Sequence, residues 1–177
     1  MRSFGRILLE RLIQQFGITN YRLRDGDTNP SATIRKTAAG LVSPPIDIAF
    51  DGSGESGYLA FNHPPANFET EKPYPIVELD EACRRQRVGE GWFNNIFDVP
   101  ERTISMSVQQ ILKAGEIVAA LPALRTANAV HACLVGGVCP MAPAPILRTQ
   151  DRTSAYLDGD SAALFTQARP YAQKGQR

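Results

Sequence analysis

Short apolar runs alternate with polar, glycine-containing turns along the whole chain, and this pattern predicts alternating helices and strands. From Phe4 to Phe16, apolar side chains recur about every four residues until Gly17, which is typical of an amphipathic helix that ends at the glycine. The pattern then predicts a strand at 18–23, a turn at 25–27, and a helix that Asn29 caps, Pro30 opens and Gly40 ends.

The rest of the chain continues this alternation. Ile46–Phe50 is an apolar run between Pro45 and Gly52, which is typical of a buried strand, and a proline-interrupted loop follows from 62 to 75. Further strands are predicted at 76–79, 104–106, 117–121 and 154–157, and helices at 80–88, 109–114, 124–134 and from 160, with a short turn at 144–147. Strands alternating with helices predict an α/β fold with a mostly parallel sheet and flanking helices, as one domain over 1–168 with a polar tail at 169–177.

A glycine-rich segment follows the predicted strand at Ile46–Phe50. Gly52, Gly54 and Gly57 would lie at the carboxyl end of that strand, where open α/β sheets bind ligands. Glycines there let the backbone approach an anion and present N–H groups to it. A tight surface turn without a ligand is the alternative, and the segment alone leaves both open.

Two standard motifs nearly fit this segment. Its glycines satisfy GxGxxG, but a dinucleotide site requires a helix at this point, and Pro64-Pro65 cannot lie inside one. Ser56 resembles the serine of GxSxG, but Tyr58 occupies the place of the second glycine. The sequence therefore favours neither a dinucleotide cofactor nor a serine hydrolase.

The composition and the charge pattern indicate where the protein is expected and which partners are not expected. The 177 residues are 43% hydrophobic and 21% charged with a net charge of +1, which gives no electrostatic reason to expect nucleic acid or an anionic membrane as partner. No run approaches the roughly 20 apolar residues of a membrane span. Charged residues interrupt the N-terminus, so a secretory signal is not expected, and the expected location is the cytoplasm. The three cysteines lack CxxC spacing, which argues against a zinc site or a disulfide framework.

The segment from Asp51 to Pro64, with GSGESGYLAFNHP at its core, resembles the GxGxDGHxAFNEP loop of the glucosamine-6-phosphate deaminase/isomerase family. The similarity continues, in order, at 77–93, 99–107, 127–136 and 140–147. Taken together, these segments are similar to the C-terminal two-thirds of a deaminase. The family's enolising aspartate and first phosphate-binding loop would precede Met1, so the resemblance implies a fold truncated at its N-terminus, without the first strands of the sheet.

The resemblance implies a Rossmann-like fold and the conversion of glucosamine 6-phosphate to fructose 6-phosphate and ammonia, without a metal or redox cofactor. That reaction opens the sugar ring and moves a proton between C2 and C1, which requires acid/base groups within hydrogen-bond reach of the substrate. Binding a phosphosugar also requires cationic or N–H donors for the phosphate.

Three positions of this loop differ from the residues that the family uses for acid/base chemistry. Ser56 replaces an aspartate, Tyr58 replaces the ring-opening histidine, and His63 replaces the acidic partner of that histidine. A serine has no useful proton affinity near neutral pH and a tyrosine has a reference pKa of about 10, whereas a histidine titrates in the useful range. These three residues are the candidate catalytic positions.

The resemblance also implies a phosphosugar site. A family lysine at the start of a helix corresponds to Thr126, with Arg125 beside it, and Arg87 lies on a helix close to the position of a family arginine. A guanidinium can hold a phosphate through two parallel hydrogen bonds. The alternative is that these arginines form a solvated helix face. The candidate substrate-binding residues are Gly52, Gly54, Gly57, Asn62, Arg87, Arg125 and Thr126.

Three functions remain open. The first is a deaminase-like protein of amino-sugar phosphate metabolism that is catalytically impaired or inactive, because its acid/base loop is substituted and the family's N-terminal base is absent. The second is a non-catalytic sugar-phosphate binding or regulatory module. The third is a changed enzyme that uses Ser56, Tyr58 and His63 in new roles. A homo-oligomer also remains open, since an uncovered helix face would favour self-association.

Overall fold

The computed structural model describes residues 8–21, 29–41, 45–52 and 54–168, and these fall into two compact units. Unit one comprises the described residues up to 41 and the segment 74–104, and unit two comprises the segments 45–73 and 105–168. The expectation of one domain over 1–168 stays a prediction. The turn expected at 25–27 and the tail at 169–177 lie outside the described residues.

The secondary structure of the described part follows the predicted alternation. The helices are a π-helix at Leu9–Ile13, α1 (Pro30–Ala39), α2 (Glu81–Gly89), α3 (Val108–Leu112), α4 (Ala127–Val135) and α5 (Ala163–Ala168). The strands are β1 (Ile48–Asp51), β2 (Ile76–Glu78), β3 (Arg102–Ile104), β4 (Glu116–Leu121) and β5 (Thr153–Leu157). Short 3₁₀ helices lie at Ile96–Asp98, Leu124–Thr126 and Ala144–Thr149.

In unit one, side-chain caps start the helices where the sequence predicts them. The Asn29 side chain accepts a hydrogen bond of 2.9 Å from the Ala32 N–H at the start of α1. Asp80 accepts one of 2.7 Å from the Cys83 N–H at the start of α2. Each cap satisfies an N–H that has no partner inside the helix, so both predicted starts are confirmed.

Two predictions for unit one are wrong or shifted. Residues 18–21 form no strand, and the remainder of the strand predicted at 18–23 lies outside the described residues. β2 and β3 pair antiparallel, with Ile76 opposite Ile104, and β3 ends where the strand predicted at 104–106 was to begin. This ribbon is separate from the parallel sheet.

Unit two is built on a three-stranded parallel sheet in the order β1-β4-β5. One face of this sheet carries alternate residues of β4, beginning with Ile117, into a core shared with α3 and α4. That core contains Leu59, Val108, Ile111, Ile117, Ala119, Leu121, Val130, Ile146 and Leu147. The predicted α/β architecture, with mostly parallel strands and flanking helices, is confirmed.

The opposite face of the same sheet is open among the described residues. Phe50 on β1 is 81% exposed and Tyr156 on β5 is 64% exposed. The prediction that Ile46–Phe50 forms a buried strand is therefore wrong, because Ile48 and Phe50 of β1 lie on the face of the sheet that points away from the core.

The part of the chain that the structure describes holds no helix long and apolar enough to cross a membrane. The expected cytoplasmic location stays a prediction.

Candidate functional site

The candidate site lies at the carboxyl ends of the three parallel strands of unit two. A glycine-rich loop (residues 52 and 54–63) follows β1, a turn at 122–126 follows β4, and a turn at 158–161 follows β5. Parallel strands place their carboxyl ends at one edge of a sheet, and this edge is where open α/β sheets bind ligands. The segments that carry most of the candidate residues thus belong to one edge.

The glycine-rich loop rests directly on α4 at Gly57. This residue is buried and has φ of +66°, in the left-handed region that glycine adopts without strain. A Cβ atom placed there would lie 3.4 Å from the Cβ of Ala129 in α4. Gly57 therefore serves both the backbone conformation and the close approach of the loop to the helix.

Two buried polar side chains fix the far end of the loop. The Asn62 Nδ2 donates to the carbonyls of Leu59 at 2.7 Å and Met106 at 2.8 Å. The Ser105 Oγ accepts a hydrogen bond of 3.1 Å from the Phe61 N–H. Residues 59–62 form a tight turn, and no helix opens after the glycines, as Pro64-Pro65 predicted. The structure thus uses the Asn62 amide for the shape of the loop.

The structure brings two of the three candidate catalytic residues together. The rings of Tyr58 and His63 have centroids 5.2 Å apart and planes inclined at 36°, and both residues are half-buried. Ser56 is exposed at the tip of the loop. A phenol and an imidazole therefore share the position where the resemblance implies an imidazole and a carboxylate.

Arg125 lies on the turn after β4, beside the glycine-rich loop. Its Nε is 3.7 Å from an Oε1 of Glu55, and the two side chains are 64% and 49% exposed. The neighbouring Thr126 is buried, and its hydroxyl donates to the Ala123 carbonyl at 2.8 Å. Arg125 is thus available to an anion in solvent, whereas the Thr126 hydroxyl stabilises the turn itself.

The same turn contains a strained alanine. Ala123 has φ of +76° and ψ of 153°, a combination that is essentially confined to glycine. Its N–H donates to Oδ2 of Asp158 at 2.8 Å, and Oδ1 of Asp158 accepts from the Ser161 N–H at 2.7 Å. Hydrogen bonds from the backbone N–H groups of Ser161 and Ala123 lower the pKa of the Asp158 carboxyl below its ordinary value.

Comparison with known proteins identifies the family. No family model matches the chain. It is 30% identical over 128 residues, 72% of its length, to the glucosamine-6-phosphate deaminases of Bacillus thuringiensis (strain Al Hakam) and Bacillus anthracis (strain CDC 684 / NRRL 3495). It also superposes on a solved monomeric glucosamine-6-phosphate deaminase with a TM-score of 0.74, at 26% identity over 81% of this chain and 58% of that one. The chain belongs to the glucosamine-6-phosphate deaminase/isomerase family.

The similarity to the deaminases covers only part of their length. The chain spans about half the length of the Bacillus deaminases that it matches, 47% of each. A 6-phosphogluconolactonase from Trypanosoma brucei matches with a TM-score of 0.59 at 14% identity, which shows the Rossmann-like fold alone.

The positions of the remaining candidate residues in this deaminase-family chain do not indicate a role in binding. Gly52 is exposed and Gly54 is half-buried in the loop. Arg87 lies on α2 in unit one, where its guanidinium is 2.7 Å from an Oε2 of Glu90. The substrate-binding roles of these residues, and those of Asn62 and Thr126, stay predictions.

Sequence reasoning missed Glu55, Ser105, Ala123 and Asp158. Ser105 lies inside a segment that resembles the family, and Asp158 precedes Gly159 in an Asp-Gly pair that is typical of a turn, so a weak signal existed for both. Ala123 gave none, since alanine does not indicate a positive φ.

Proposed function

We propose that this chain binds a phosphosugar of the glucosamine 6-phosphate type and that its deaminase activity is impaired or absent. The observation that carries the proposal is the Tyr58–His63 pair, whose rings lie 5.2 Å apart in the loop that the resemblance makes catalytic. The loop keeps a fold-defining shape through Gly57 and Asn62, while its acid/base positions hold other residues.

The chemistry explains the expected impairment. Ring opening needs a group that accepts and returns a proton near neutral pH, and general acid–base catalysis typically contributes about 10²–10⁴-fold. Tyr58 has a phenol in place of the imidazole, and Ser56 has no group with useful proton affinity. His63 supplies an imidazole at the position where the resemblance implies a carboxylate. The group that can titrate near neutral pH therefore lies five residues later in the loop than the family's histidine would.

Phosphate binding is supported by Arg125 and the loop. The guanidinium is exposed, and its contact with Glu55 at 3.7 Å is a solvent-exposed pair, of a kind typically worth only about 0–1 kcal/mol. A phosphate dianion can therefore replace Glu55 at little cost and accept two hydrogen bonds from the guanidinium. The glycine-rich backbone beside it offers further N–H donors.

A non-catalytic binding or regulatory module is the second candidate. The exposed Arg125 favours it, because binding requires this cation but not the acid/base residues. The changed enzyme that would use His63 in a new role ranks third. In that case a His63→Ala variant would lose whatever turnover the chain has.

The first experiment measures ammonia release from glucosamine 6-phosphate and thermal melting on the same sample, with the Bacillus anthracis deaminase as positive control. We expect a higher melting temperature with the ligand, since a ligand that binds the folded state stabilises it. We expect ammonia release at least about 100-fold below the control, the lower part of the acid–base range. Release within tenfold of the control would contradict the proposed impairment.

A restoring variant tests the cause. Ser56→Asp/Tyr58→His/His63→Glu returns the three residue types that the resemblance implies for ring opening. We expect this variant to open the ring of glucosamine 6-phosphate at least about tenfold faster than the parent chain, measured by trapping the open-chain aldehyde. Arg125→Ala in that background should abolish the ligand-induced shift of melting temperature. Binding without any gain in ring opening would leave the binding module as the better description.

A further inference from the structure

The turn after β4 is held in a conformation that its own residue disfavours. Ala123, at φ +76° and ψ 153°, has a backbone geometry that a Cβ atom opposes. The Ala123 carbonyl accepts hydrogen bonds from the Thr126 hydroxyl at 2.8 Å and from the Thr126 N–H at 3.0 Å. The same hydroxyl lies 3.3 Å and 3.2 Å from the Leu121 and Pro122 carbonyls. These bonds close the turn on its carbonyl side, and the Ala123 N–H is held on the other side.

Asp158 secures that point from the neighbouring strand. Its Oδ2 accepts from the Ala123 N–H, across 35 residues of sequence, and its Oδ1 accepts from the Ser161 N–H. The Asp158 N–H in turn donates to the Ser161 Oγ at 3.0 Å, and Ser161 is fully buried. The carboxylate is therefore anchored by a rigid turn of its own, with both oxygens engaged.

Arg125 depends on this arrangement because it follows Ala123 by two residues. If Ala123 relaxed to a negative φ, the peptide planes after it would rotate, and the guanidinium would leave the neighbourhood of Glu55 and the glycine-rich loop. We propose that Asp158 is a positioning residue, which holds the 123–126 turn in its strained form and thereby sets Arg125 in place for the phosphate of a phosphosugar. This inference rests on the proposed function of Arg125.

Asp158→Asn tests it with little change of shape. The asparagine keeps one acceptor oxygen, so its amide group must face either the Ala123 or the Ser161 N–H and one hydrogen bond is lost. Asp160→Asn is the matched control, because Asp160 is exposed on the same turn and its substitution removes the same charge. Both variants are compared at 10 °C, with the folded fraction followed by circular dichroism, so that loss of stability is separated from loss of affinity.

The first readout is calorimetric affinity for glucosamine 6-phosphate and for inorganic phosphate. We expect Asp158→Asn to bind about tenfold or more weakly while fully folded, as loss of a charge-assisted hydrogen bond implies, and Asp160→Asn to bind like the parent. Adding Ala123→Gly should return the affinity to within about threefold, because glycine adopts the required conformation without the carboxylate. Equal binding by the two Asp variants, or a loss that Ala123→Gly does not rescue, would overturn the inference.

The second readout does not need a ligand. If the parent chain binds neither compound, the proposed function fails, and amide hydrogen exchange across residues 123–127 decides whether Asp158 positions the turn. We expect exchange there to be about tenfold faster in Asp158→Asn than in Asp160→Asn, with β4 unchanged, and to slow again on adding Ala123→Gly. Equal exchange in the two variants would overturn the positioning role.

Discussion

Ala123→Gly should make the chain more stable, although glycine usually destabilises. A non-glycine residue in the region of φ +76° and ψ 153° carries about 1–3 kcal/mol of backbone strain. Glycine removes that strain but gives the unfolded chain more conformational freedom, which costs roughly 0.4–1 kcal/mol. The difference is a gain of about 1 kcal/mol in the free energy of unfolding, or about 2–4 °C in melting temperature for a chain of this size.

The assay is urea denaturation followed by circular dichroism, with a thermal melt as a second measure. Ala132→Gly is the matched control, because Ala132 occupies an exposed position of α4 in ordinary helical geometry. This control should lose about 1 kcal/mol, since glycine is less favourable than alanine inside a helix by about that amount. Ala123→Gly would refute the strain if it lowered stability like the control. An unchanged midpoint would show that the strain is no larger than the roughly 0.4–1 kcal/mol that glycine costs through the unfolded chain.

Three further predictions concern other parts of the molecule. Gly136→Ala should lower the free energy of unfolding by about 1–3 kcal/mol in urea denaturation, because a Cβ there would collide with a main-chain carbonyl one helical turn earlier. A Cβ at Gly137 would meet open space, so Gly137→Ala should change that free energy by no more than about 0.5 kcal/mol. At pH 7.5 a thiol reagent should label the exposed Cys139 first, and Cys83 last, because burial raises the pKa of the Cys83 thiol; equal rates would contradict this. The pKa of Asp158 is lowered from 3.8, so the contribution of its carboxylate to folding stability is complete above pH 3.8 and is lost as the pH falls through the lower folded value. In melts from pH 6 to 2, the melting temperature of Asp158→Asn should therefore fall less on acidification than that of the parent chain. Equal falls in the two proteins would contradict this.

Local signals made much of the fold predictable. Asn29 and Asp80 cap helices through bonds to residues three positions away, so the information lies within a single turn of sequence. The parallel sheet followed from the alternation of strands with helices. The antiparallel pairing of β2 with β3 was not predictable, because α2 intervenes and short apolar runs do not specify which partner they choose.

The glycines of the candidate site could be predicted from the sequence, whereas the residues that hold its turns in place could not. Gly57 marks a positive φ by its residue type, whereas Ala123 adopts one without any such mark. Asp158 acts on Ala123 across 35 residues, a distance at which a single sequence carries no contact information. The exposure of Phe50 was missed for a related reason, since an apolar run predicts a strand without saying whether both faces of that strand are covered.

The construction of the glycine-rich loop bears on how such a protein can diverge. The loop is held by the close packing of Gly57 and by hydrogen bonds through Asn62 and Ser105. The candidate catalytic positions are other residues of the loop: Ser56, Tyr58 and His63. Selection that preserves the loop's shape therefore does not by itself preserve its chemistry. The candidate reactive groups can therefore change while the hydrogen bonds that shape the loop remain, and this is a route from an enzyme to a binding protein within one fold.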